Sequence, residues 1–195
     1  MNFKLMYNVG LNENKYPTIL NGVRVKQYRL WSSLLTRCYS DVYHSSYPAY
    51  INCYASENFK NYSYFYEWCE VQVGFNQPDF HLDKDLLIKG NKVYSEDTCV
   101  FLPSEINRVF LKNNSVRGKY PVGVVYVKRR GIFEAKINKG KTRKHLGYFK
   151  TPEEAFRCYK IEKELYIKSL AEKWKHLIDD RAYNALMKYE VEIDD

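Results

Sequence analysis

The stretch FHLDKDLLIKGNKVYSEDTCVFLPSEIN, residues 80–107, gathers the side chains of this chain best suited to metal-assisted chemistry. A short β run at 80–87 meets a Lys-Gly-Asn-Lys turn at 89–92, a second β run ends at Phe101, and Pro103 opens a helix carrying Asn107. Strand, turn, strand and helix make a ββα unit. Such a unit can hold one divalent cation between a strand carboxylate and a helix side chain, because both converge on one small cleft. A second set of candidates lies further on. Lys128, Arg130, Lys136, Arg143 and His145 fall on or beside three β runs, where cations on one sheet face can meet a polyanion.

The elements around these residues follow from hydrophobic periodicity. Residues 23–40, VRVKQYRLWSSLLTRCYS, place Tyr28, Trp31, Leu34, Leu35 and Cys38 at helical spacing, with Arg and Lys on the other side. A Tyr- and Ser-rich connection, whose His44 carries no expected chemistry, leads to ENFKNYSYFYEWCEVQV, where Phe59, Tyr62, Phe65, Tyr66 and Cys69 suit a second helix. In the last third, strands are predicted at 122–128, 132–138 and 143–148, with turns at 129–131 and 139–141. Three short strands need a cover. The helix that follows supplies it: Thr151 suits the N-cap, Pro152 the first helical position, and Glu154 completes a capping box. Ala155, Tyr159, Glu162 and Tyr166 mark one side of that helix, and Phe156, Cys158 and Leu165 its apolar cover.

Alternation on the middle strand turns Phe133, Ala135 and Ile137 to the helix and leaves Glu134, Lys136 and Asn138 on the open face. With Lys128, Arg130, Arg143 and His145 this face is charged and about as wide as a DNA major groove. A merely solvated face has the same pattern. Beyond residue 170 the pattern gives a second helix or a helix extension and then an acidic tail, with Trp174 and His176 as packing residues.

Composition bounds the rest. A chain of 195 residues and 23.3 kDa can form one domain or two small ones. Thirty-one Lys and Arg against 23 Asp and Glu give a net charge of +8 and a pI near 9.1, which suits a polyanionic partner, nucleic acid first, as well as a merely basic protein. Nineteen Tyr and ten Phe can stack on bases but mainly fill cores. Five widely spaced Cys with no CxxC or CxxH pair argue against a zinc site or disulfide framework and fit a reducing cytosol. The first residues lack an apolar run long enough for a signal peptide, and no segment approaches a membrane span, so the expectation is a cytoplasmic protein with no membrane partner.

The motifs WSSLLTRCYS, FxxYxxFYEW and LDKDLLIKGNKVYSEDTCVF, within residues 28–112, resemble the HNH homing endonucleases encoded by phages, which cut DNA with a ββα-metal fold. The resemblance implies Asp83 and Asn107 as ligands of a catalytic Mg²⁺. It also puts Lys84 where the family's general-base His belongs. An ammonium can stabilise a phosphate but takes no proton from water near neutral pH unless its pKa falls by several units. His81, on the same strand face as Asp83, is the nearby substitute. Thr98 stands where the family usually has Asn. The expectation is an HNH-like scaffold with impaired or lost nuclease activity, an active Mg²⁺-dependent endonuclease being the alternative.

Residues 117–168, with the spacing PxGV…GxFEAKI…GKxxxxLGYFxTPEEAFxxY, resemble the APETALA-two/ethylene-response-factor (ERF-type) DNA-binding domain, whose three-stranded sheet enters the major groove with a helix packed behind it. Plant members carry Arg and Trp where this chain has Val125, Tyr126, Val127 and Phe133, so their target sequence does not transfer. Such modules are commonly appended to HNH endonucleases of phages and their hosts, and the two resemblances support each other. Together they imply an α+β protein: an N-terminal extension (1–22), an HNH-like ββα-metal region with flanking helices (23–115), and an ERF-type domain whose three-stranded antiparallel sheet packs on a helix (116–195). Its expected partner is double-stranded DNA, held by Lys128, Arg130, Glu134, Lys136, Asn138, Arg143 and His145, in the cytoplasm of a phage-infected cell or prophage host. No small-molecule ligand is expected. A further alternative is a phage protein that occupies a host DNA-acting or defence complex.

Overall fold

Residues 5–111 and 119–193 are described by the structure, a computed structural model, and they form a mixed α+β chain with several small sheets. The expected boundary at 115/116 lies outside the described residues. The chain divides into two units, Met1–Leu102 with Leu177–Ala182, and Pro103–His176 with Tyr183–Asp195.

The first unit opens with a hairpin, β1 (Ile19–Leu20) and β2 (Val23–Arg24), followed by α1 (Lys26–Tyr39) and the short α2 (Asp41–Ser46). The apolar stripe of α1 is core, with Trp31, Leu34, Leu35 and Cys38 buried. After β3 (Tyr54–Ala55), the single helix expected through 59–69 is two helices, α3 (Glu57–Lys60) and α4 (Tyr62–Val71). Asn61 makes the break: its side chain accepts from the N–H groups of Ser63 and Tyr64 and caps α4, a local bond that competes with helical continuation. Phe59, Phe65, Trp68 and Phe101 form an aromatic core, and the Trp31 indole donates to Phe59 O at 2.9 Å. Residues 5–18 pack onto this core. Tyr16 stacks on Tyr66 at 4.2 Å, and the Tyr62 hydroxyl donates to Pro17 O at 2.7 Å.

The expected hairpin of the ββα unit is built differently. β4 (Phe80–Asp83) stops halfway along the predicted run and pairs with β6 (Val100–Pro103), while β5 (Val93–Tyr94) pairs in parallel with β3. Between β4 and β5 the chain turns away from strand because side chains capture its backbone, as detailed below.

In the second unit, Pro103 precedes rather than begins the single-turn α5 (Ser104–Asn107). β7 (Val124–Val127), β8 (Ile132–Lys139) and β9 (Thr142–Phe149) form an antiparallel sheet in that order, and α6 (Pro152–Trp174) follows. The capping box at Thr151 and Glu154 is formed in full. Val124, Ala135 and Ala155 are the centre of the sheet–helix core, with Tyr120, Phe133, Leu146, Phe149 and Phe156 packed around it. Leu165, expected in that cover, is 58% exposed. The buried stripe of α6 runs through Ala155, Tyr159, Ile167, Leu170 and Ala171, and Leu165 lies off it. Glu105 accepts from Lys173 and from the Trp174 indole, which fixes the end of α6 on α5. α7 (Asp180–Met187) straddles the division of the units. Among the described residues, no helix is long and apolar enough to cross a membrane.

Candidate nucleic-acid interface

The register of the three strands decides which side chains share the open face. Val124 opposes Ala135 and Tyr126 opposes Phe133 on the helix side, so Val125 and Glu134 face outward. Between Ala135 and Lys136 the pairing with β9 shifts: Ala135 opposes Gly147, and Lys136 opposes His145. Leu146 is the extra residue of this bulge. It packs into the sheet–helix core, while His145 and Tyr148, three residues apart, both reach the open face with their rings 4.6 Å apart. Gly147 holds the bulge at φ +149°, where an added Cβ would meet the Phe149 ring at 3.2 Å. Tyr148 was absent from the residues expected on this face. A glycine inside a strand run was the available signal, since it marks bulges.

Each of the seven candidate contact residues has a definite place. Glu134 is central: His145 Nδ1 lies 3.0 Å from its Oε1, and Lys136 Nζ lies 3.6 Å from its Oε2. Arg143 Nε donates to Asn138 Oδ1 at 3.2 Å, directly across the strands. The Arg130 guanidinium lies 4.8 Å over the Tyr148 ring, and Lys128 is exposed at the β7–β8 turn. Lys139 and Lys144 turn the other way. Both pair with Glu162 of α6, at 2.7 and 2.9 Å, and hold its carboxyl down to about 2. The cations of the sheet are therefore divided, some tying it to α6 and others left for the open face.

Between β4 and β6, beside the expected metal ligand Asp83, the chain is a hydrogen-bonded turn. Asp83 Oδ1 accepts from the N–H groups of Asp85 and Leu86 at 2.9 and 2.8 Å, and burial raises the pKa of its carboxyl. Lys84 is 7% exposed, and its ammonium donates to Asp85 Oδ1 at 2.6 Å and to Asn91 O at 2.7 Å. Asn91 in turn donates to the carbonyls of Lys84 and Val93 and accepts from Val93 N–H. The Thr98 hydroxyl donates to Val93 O and accepts from Ser95 N–H. These bonds end β4 at Asp83, because they offer the backbone partners other than a strand ladder.

His81 is exposed, with Nε2 3.7 Å from Asp79 Oδ1. Asp83 belongs to the first unit and the half-buried Asn107 to the second. Among the described residues, no group of three or more His, Cys, Asp or Glu side chains could hold a metal ion. The chemistry of Asp83 also fits Mg²⁺ poorly: one oxygen holds the turn, burial favours the protonated form, and an ammonium is fixed on the adjacent residue. Comparison with protein-family models, with curated proteins and with solved structures gives no match for this chain.

Proposed function

We propose that the chain binds duplex DNA through the open face of β7–β9, on a frame of phage HNH homing-endonuclease descent whose nuclease chemistry is impaired or lost. One observation carries the reading: α6 covers one face of a three-stranded sheet, and the other presents Arg130, Lys136 and Arg143 among His145, Asn138 and Tyr148. Strands ~4.8 Å apart make a ribbon of about 10 Å, which the ~12 Å major groove admits. In this reading Lys128 and Arg130, at the turn, meet phosphates, and Lys136, Asn138 and Arg143, along the strands, meet base edges. Glu134 orients Lys136 and His145 before DNA arrives.

The competing reading is Mg²⁺-dependent cleavage. Lys84 speaks against it, since the residue in the general base's place is a buried donor bound to two acceptors. DNA binding is tested by titrating labelled duplex at several salt concentrations. Affinity is expected to fall with a log–log slope of about −0.9 per phosphate neutralised. Arg143→Ala or Lys136→Ala is expected to cost ~1–3 kcal/mol if the residue reads a base. Absent or salt-insensitive binding would overturn the proposal.

A further inference from the structure

The hairpin β1–β2 carries apolar side chains that the fold leaves uncovered. Asn21 and Gly22 take φ of +51° and +76°, the positive pair of a two-residue type I′ turn. Leu20 opposes Val23 beside this turn, and Ile19 opposes Arg24 one step further back. Ile19, Leu20 and Val23 are 54, 56 and 66% exposed. The base of the hairpin is nevertheless fixed, by Val25 N–H on Thr18 O at 3.1 Å and by the Tyr62 hydroxyl on Pro17 O. It is a held projection with an apolar tip. An uncovered apolar strand pair invites association, so its occupant needs an account.

Charge identifies that occupant. From Asn14 to Ser40 the chain has five cations, Lys15, Arg24, Lys26, Arg29 and Arg37, and no Asp or Glu. Lys15 is paired with Glu67, Lys26 is bonded to Phe75 O, and Arg37 is held among Tyr50 and Tyr94, whereas Arg24 and Arg29 are exposed. Arg24 stands on the hairpin itself and lines a groove of about 750 Å³ with Asn12, Asn14 and Tyr28. A second copy of the chain would bring the same cations against these, which like-charge repulsion opposes. Duplex DNA satisfies both features. Proteins that enter the minor groove insert apolar side chains between base steps while arginines meet the groove and its phosphates, kinking the duplex by about 20–90°.

We propose that β1–β2 is a DNA wedge: Leu20 and Val23 enter between base pairs from the minor groove, Arg24 and Arg29 hold the flanking phosphates, and the duplex bends. The proposal rests on DNA being the partner but uses none of the side chains of the β7–β9 face. It is tested with the full chain and a cohesive-ended fragment of about 100 bp, shorter than the ~150 bp persistence length, which ligase circularises efficiently only when it is bent. The wild-type protein is expected to raise the yield of circles. A Leu20→Ser/Val23→Ser variant, altered only at exposed positions, is expected to keep its melting temperature and still bind the fragment, while circle yield returns to the protein-free level. Binding by the wild type without more circles, or undiminished circles with the variant, overturns the wedge and leaves the sheet reading standing. Absence of DNA binding overturns both. Sedimentation separates the remaining occupant: dimerisation by the wild type that the variant loses would assign the hairpin to self-contact and overturn the proposal.

Discussion

A buried ammonium must replace its lost water with acceptors, and Lys84 does so with Asp85 Oδ1 and Asn91 O. Its neighbour Asp83 is the less comfortable group. Burial raises its pKa above the ordinary 3.8, so the folded protein holds this proton more tightly than the unfolded chain does. The sign follows: its contribution to stability is lost as pH rises from the ordinary value through the raised one, and is constant above that. Asn at this position would keep an acceptor for the N–H groups of Asp85 and Leu86 without burying a charge. Asp83→Asn is therefore expected to raise the melting temperature at neutral pH and to steepen the rise of stability with pH above 3.8, because the opposing contribution of Asp83 is gone. Thermal melts of both proteins across pH check this, and a variant less stable at neutral pH would show that the charge itself is needed.

Among the elements, β9 has two jobs set by one bulge. Its Lys144 reaches α6 while Arg143 and His145 face outward, and the extra residue Leu146 restores core packing without moving Tyr148 off the open face. Glu162 gathers Lys139 and Lys144 from the two strands of the β8–β9 hairpin and so fastens that hairpin to the helix. A carboxyl held down to about 2 stabilises the fold above its ordinary 4.5 and loses that effect as pH falls through its folded value. Glu162→Gln is expected to lower the melting temperature at neutral pH. The difference should shrink at ~1 M salt, where the Debye length is about 3 Å. It should also close in acid, as the wild-type carboxylate protonates. Melts at two salt concentrations and over this pH range measure it; a difference insensitive to both would mean the carboxylate acts through packing instead.

At the scale of the whole molecule, a net charge of +8 suits a polyanionic partner, and the proposed DNA reading divides into binding alone and binding with cleavage. Supercoiled plasmid with Mg²⁺ or Mn²⁺, beside an Asp83→Ala control, tests it. Little or no nicking is expected. General-base help is worth ~10²- to 10⁴-fold in rate, so Lys84→His would produce a large gain if only the base had been lost. No gain is expected, because an imidazole at this buried place faces Asp85 and Asn91 O, the acceptors that now hold the turn. Metal-dependent nicking by the wild type that Asp83→Ala abolishes would reverse this reading and make the chain a nuclease.

Much of the fold was legible because its signals are local. The stripe of α1, the capping box of α6 and the alternation of Ala135 and Ile137 against Glu134, Lys136 and Asn138 depend on spacing and on side chains three or four residues apart. Of the open sheet face, the strand positions of Lys136, Asn138, Arg143 and His145 were readable in the same way, but Tyr148 was not. It shares their face only because a bulge shifts β9 against β8, and register belongs to a pair of strands rather than to either one. The same holds for β5, which left its expected hairpin for β3, for Lys84, whose burial requires acceptors at 85 and 91, and for Leu165, which lies off the buried stripe of α6. Spacing along the chain determined which residues could lie together. Burial and pairing between distant segments, which no local period encodes, decided which of them did.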